Sequence, residues 1–126
     1  ITSRLGFQDS LGATDPSNGA WIHIDGSGVL SGKTKKAGSG STTGTTYTLS
    51  ANTWYRAKIR VNPGTSEVAF YLYNEAGSLL WAQALSTNIP TTALCHGVVS
   101  TSSGTTAITL IDMDFMSLMI ARKLTR

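Results

Sequence analysis

Two groups of side chains in this sequence have the types and spacing for chemistry. The first is aromatic and basic: Trp54, Arg56, Lys58, Tyr71, Tyr73 and Trp81. A flat indole or phenol ring can stack on the apolar C–H face of a sugar. An Arg or Lys beside it can add a cation–π contact or hold an acidic group. The second group is acidic. Asp112 and Asp114 alternate with Ile111, Met113 and Phe115, so a strand carries both carboxylates on one face. Together with Asp9 or Asp15 and backbone carbonyls they are weak candidates for calcium, which takes about six to eight oxygens. Two acids solvated on an outer face are the competing reading.

Catalytic constellations fail on geometry or on number. Cys95 and His96 are adjacent, so a strand sends them to opposite faces and denies them a nucleophile–base contact. Cys95 reads as a small buried apolar residue. His23 sits in an alternating Trp-Ile-His-Ile run, and one Cys with two His is too small a set for zinc. Glycoside hydrolysis needs two carboxylates flanking the scissile bond. The only glutamates are Glu67, which the expected strand register sets opposite Arg60, and Glu75, which falls in a turn. No nucleophile elbow, P-loop or dinucleotide fingerprint occurs. The sequence reads as non-enzymatic and without a cofactor.

The elements that must position these residues are strands. Gly, Ser and Thr make up 46 of 126 residues, while charged residues are only 13%. That mixture disfavours long helices and suits strands joined by turns. The length fits one domain. Net charge is +3, and nine of the ten cations lie in three groups: Lys33, Lys35 and Lys36; Arg56, Lys58 and Arg60; Arg122, Lys123 and Arg126. Such groups can attract anions, but the surplus is small for a nucleic-acid binder. The single cysteine permits no internal disulfide, which fits assembly in a reducing cytoplasm. The apolar run from Ile108 to Ala121 is broken by Asp112 and Asp114, so no membrane insertion is expected. Starting at Ile1, the chain reads as a piece of a longer polypeptide.

Residues Ala20–Asp25, Trp54–Val61, Glu67–Tyr73 and Thr109–Phe115 alternate with the period of a strand. Turn sequences separate them, among them Asp25-Gly-Ser-Gly, Asn62-Pro-Gly-Thr and Asn74-Glu-Ala-Gly-Ser. About ten short strands at this spacing predict an antiparallel sandwich or barrel. The stretch 31–48 reads as a long loop followed by a polar strand, and a helix is conceivable near either terminus.

The central meander yields a register. A four-residue loop through Asn62-Pro-Gly-Thr sets Val61 opposite Ser66, Ile59 opposite Val68, Ala57 opposite Phe70 and Tyr55 opposite Leu72. The other face then pairs Trp54 with Tyr73, Arg56 with Tyr71 and Arg60 with Glu67. A three-residue hairpin, Glu75-Ala-Gly with Gly77 left-handed, sets Leu72 opposite Leu80, Tyr71 opposite Trp81 and Tyr73 opposite Leu79. Four aromatics thus share one face with Arg56 and Lys58. That face is either covered by protein, within the domain or between copies, or open to a ligand.

With the strands placed, the span from Leu49 to Trp81 resembles the central meander of laminin-G-like and concanavalin-A-like jelly rolls. The carrying pieces are Leu49-Ser-Ala-Asn-Thr-Trp-Tyr-Arg-Ala-Lys-Ile, Glu67 to Tyr73 and Asn74-Glu-Ala-Gly-Ser-Leu-Leu-Trp, with Ile111-Asp-Met-Asp-Phe like the closing strand. Tyr47-Thr-Leu-Ser-Ala-Asn-Thr-Trp-Tyr, Thr87-Asn-Ile-Pro-Thr, His96-Gly-Val-Val and Ser103-Gly-Thr-Thr narrow the likeness to modules of tailed-bacteriophage virion proteins. The resemblance covers about 49–116. The catalytic Glu-x-Asp-x-Glu strand of concanavalin-like glucanases is absent. The resemblance implies an all-β jelly-roll β-sandwich on a tail fibre, baseplate or decorated capsid, assembled in the host cytoplasm and displayed on the virion. It further implies a homotrimer among other virion proteins, attaching to a host-surface glycan. The rivals are a carbohydrate-binding module of a secreted enzyme and a structural cement domain.

Overall fold

Nine strands form among the described residues wherever alternation or bracketing turns permit them. They are β1 (Thr2–Gln8), β2 (Gly19–Ile24), β3 (Val29–Lys36), β4 (Ser39–Thr42), β5 (Tyr47–Thr48), β6 (Tyr55–Asn62), β7 (Glu67–Asn74), β8 (Leu79–Leu85) and β9 (Cys95–Thr101). The computed structural model describes residues 2–62 and 65–101. All pairings are antiparallel. The larger sheet runs β4-β3-β2-β1-β9, with β5 also on β3; the smaller runs β6-β7-β8. The described residues hold no helix, and the N-terminal segment that admitted one is β1.

Hairpin chemistry follows the turn residues. Asp25 Oδ1 accepts the backbone N–H groups of Ser27 and Val29, each at 2.9 Å, and closes the β2–β3 turn. Those two bonds hold the Asp25 carboxyl below its usual range. The stretch expected to be a long loop is instead β3 and β4, joined through Ala37 and Gly38 at φ 48° and 86°. A left-handed alanine is costly by itself. Here Asn18 Oδ1 accepts its N–H at 2.9 Å, and Ser17 O accepts that of Gly38 at 2.9 Å.

The two sheets pack face to face in a sandwich-like arrangement. Ala20, Ile22 and Leu30 come from the larger sheet, and Val68, Phe70, Leu72 and Trp81 from the smaller. Burying each large apolar side chain is worth roughly 1.5–3 kcal/mol. The sheets meet so closely that side chains press on bare backbone. A Cβ built on Gly32 would lie 2.5–2.8 Å from the Phe70 ring, and one on Gly6 would lie 2.7 Å from Ile59 Cδ1. These glycines admit Phe70 and Ile59 to the larger sheet.

The observed registers correct the expected ones in two ways. Between β6 and β7 the pairs are Ala57–Leu72, Ile59–Phe70 and Val61–Val68, two residues displaced from expectation. The loop still has four residues, but it lies one position further along, between Asn62 and Glu67. An even displacement keeps every side chain on its face, but of the inward set on β6 only Tyr55 and Ile59 pack against the core, while Ala57 and Val61 are exposed. Between β7 and β8 the three-residue turn forms as expected: Gly77 has φ 86°, and Tyr73 pairs with Leu79. Then Leu72 pairs with Trp81 rather than Leu80. One extra residue, Leu80, makes a β-bulge and inverts the facing of the rest of β8. Trp81, expected on the aromatic outer face beside Tyr71, is therefore in the core at 7% exposure, and Tyr71 faces Ala82.

Candidate functional site

The outer face of the smaller sheet gathers five of the six aromatic and basic candidates. Alternation on β6 turns Arg56, Lys58 and Arg60 outward, because Tyr55 and Ile59 pack against the core. On β7 the outward residues are Glu67, Ala69, Tyr71 and Tyr73, by alternation with Val68, Phe70 and Leu72 of the core, although Ala69 itself is only 8% exposed. Register then sets Arg56 beside Tyr73 and Lys58 beside Tyr71, replacing the expected pairing of Arg56 with Tyr71. Arg60 lies beside Ala69 rather than Glu67, and Glu67 pairs with Asn62.

The side-chain geometry is set by that register. The Tyr71 and Tyr73 rings stack with centroids 6.3 Å apart and planes 21° from parallel. Lys58 Nζ stands 5.8 Å from the Tyr71 centroid, within cation–π range. Trp54, just before β6, is 48% exposed and lines a shallow depression with Thr53, Asn74, Glu75 and Ala76. On β8, Leu79 is 55% exposed, while Ala82 and Ala84 leave that side low. Among the described residues the sole ion pair is Arg4–Asp15, so the cations on β6 have no ion-pair partner there, and Glu67 is the one described acid on their face of β7.

The acidic candidates have other occupations. Asp9 accepts backbone N–H groups from Ser17 and Asn18 at 3.1 and 2.9 Å. Asp15 Oδ1 pairs with Arg4 at 3.1 Å. Asp112 and Asp114 lie outside the described residues, among which no group of three metal-ligating side chains occurs. Cys95, expected to be buried, is exposed, because it opens β9 at the margin of the larger sheet. His96 points the other way and packs on Phe7, ring centroids 5.2 Å apart.

Sequence reasoning missed the structure on the outer face of the larger sheet. The 9–18 loop folds over it, held by Arg4, which donates to Thr14 O and Gly12 O as well as to Asp15. Arg4, Gln8 and Trp21 are buried beneath, and Pro16 of the loop itself is buried as well. Arg4 is the one cation outside the three basic groups, and that isolation was the available signal. Beside it, burial holds the His23 imidazole below its ordinary value. Lys33 and, more weakly, Arg4 act in the same direction, while Asp15 and Asp25 oppose them. The unfolded chain thus takes up the His23 proton more readily than the folded one, so stability is lost as pH falls through the ordinary histidine range. The melting temperature is expected to drop between about pH 7.5 and about pH 5.5, and His23→Gln to flatten that slope. An equal slope in the variant would show that another group is responsible.

No curated protein and no solved structure matches this chain. One family model does match, that of the SO2946-like C-terminal domain, over residues 1–114. Because the match takes in both sheets and the outer face of the smaller one, the chain belongs to the SO2946-like C-terminal domain family.

Proposed function

We propose that this domain is a non-catalytic, jelly-roll-type surface module of a bacteriophage virion that attaches to host-surface glycan through the outer face of its smaller sheet. The observation carrying the reading is the Tyr71–Tyr73 pair, its planes 21° apart, with Lys58 near one ring, outward on the three-stranded sheet. Two aligned rings offer a platform of the kind on which a sugar stacks. The likeness of Tyr47–Tyr55, Thr87-Asn-Ile-Pro-Thr, His96-Gly-Val-Val and Ser103-Gly-Thr-Thr to virion modules supplies the setting. Three described aspartates are committed to the scaffold: Asp9 and Asp25 to backbone N–H groups, Asp15 to Arg4.

A second reading has its own support. Trp54 and Leu79, both about half exposed, flank the same platform, and large apolar side chains at a surface suit an interface between copies, a trimer foremost. One substitution separates the readings. Tyr71→Ala is expected to lose glycan-array binding while stability changes by about 1 kcal/mol or less and the sedimentation profile stays the same. Dissociation of an oligomer by the same variant would favour the interface instead. Retained glycan binding would remove the platform from the recognition surface.

A further inference from the structure

We infer that the ligand of this face is a linear acidic polysaccharide, a glycan bearing regularly repeated carboxylate or sulfate groups, lying along β6. This rests on the reading of the face as a glycan-recognition surface and specifies which glycans it takes. Arg56, Lys58 and Arg60 occupy alternate positions on one strand, so their Cα atoms are about 6.8 Å apart and the row is about 14 Å long. All three are exposed. None has an ion-pair partner among the described residues, where Arg4–Asp15 is the only pair. Three cations in a row, with Glu67 the one described acid on their face of β7, raise the local concentration of a polyanion.

The rest of the face fits the same ligand. Lys58 Nζ lies 5.8 Å from the Tyr71 centroid, which sets its ammonium beside the ring a sugar would stack on. The tyrosine pair runs beside the cationic row on β7, giving the sugar ring an apolar surface next to the charges that meet its acidic groups. Beyond it, Ala82 and Ala84 are exposed and small, so β8 itself sets no bulky side chain in the way there. A single small anion would engage one cation and leave the others idle. Nucleic acid is the poorer match, since duplex binders neutralise on the order of 6–10 phosphates and this row supplies three cations.

The test uses the full chain with polygalacturonate, dextran of similar length and single-stranded DNA as probes. Polygalacturonate is expected to bind, and to weaken about tenfold or more between about 50 mM and about 200 mM NaCl. Dextran is expected to bind far more weakly. Arg56→Gln with Arg60→Gln should lose most of the polygalacturonate affinity with an unchanged melting curve. Lys36→Gln, exposed on the other sheet, should keep it. If dextran binds as well as polygalacturonate and salt has no effect, the face is still a glycan site but the acidic specificity is wrong. If neither glycan binds, both this inference and the recognition surface fall. DNA binding tighter than polygalacturonate would overturn the assignment in favour of nucleic acid.

Discussion

Gly32→Ala is expected to destabilise the domain by about 2–3 kcal/mol and to lower the melting temperature by on the order of 10 °C. The added methyl would sit 2.5–2.8 Å from three carbons of the Phe70 ring, well inside contact distance. The ring cannot retreat cheaply. Phe70 is fully buried at the centre of β7, hemmed in by the same cluster that includes Ile22, Leu30 and Leu72. A well-packed core answers extra volume with off-rotamer side chains and backbone shifts. Gly40→Ala is the control, since its methyl would meet only Thr34 O at 3.6 Å and Lys35 Cγ at 3.7 Å. Trimming the ring should relieve the clash, so Gly32→Ala with Phe70→Leu should be more stable than the sum of the two single losses implies. Simple additivity in urea melts would show that the methyl and the ring do not meet, and would undo the face-to-face packing of β3 and β7.

The reach of the sequence depended on what alternation can encode. Arg56-Ala-Lys-Ile-Arg-Val and Val68-Ala-Phe-Tyr-Leu-Tyr each assign residues to two faces, and the structure keeps those faces. Alternation has a period of two, so it cannot distinguish registers two residues apart, and the β6–β7 pairing was displaced by that amount. Leu79-Leu-Trp-Ala has no polar residue to fix its facing, and the Leu80 bulge went unseen there. The β3–β4 hairpin was hidden because its turn puts an alanine at φ 48°, tolerable only through bonds to Ser17 and Asn18, which are distant in sequence. The Arg4 clamp was hidden for a similar reason: its acceptors lie on a loop whose path is a tertiary matter. As for the site, its cations and tyrosines were readable as a set, but which cation meets which ring was not.

Trp81→Ala is expected to cost roughly 3–5 kcal/mol, the range for emptying an aromatic site in a packed core. Leu79→Ala, two residues earlier, should change stability by no more than about 0.5 kcal/mol, because Leu79 is 55% exposed. In an unbroken strand residues 79 and 81 share a face, and the two losses would then be alike. The bulge at Leu80 separates them, turning Leu79 out beside Tyr73 and Trp81 in against Leu72. Trp81→Phe adds a second check. It keeps most of the ring volume and removes an indole N–H that finds no partner among the described residues, so its loss should be well below that of Trp81→Ala. The same experiment bears on function, since a core tryptophan cannot belong to a stacking platform. Trp81→Phe should keep full glycan affinity, leaving Tyr71 and Tyr73 with Trp54 as the aromatics on the outer face of this meander. Near-neutral melting of Trp81→Ala together with lost glycan binding would return Trp81 to the outer face and refute the bulge.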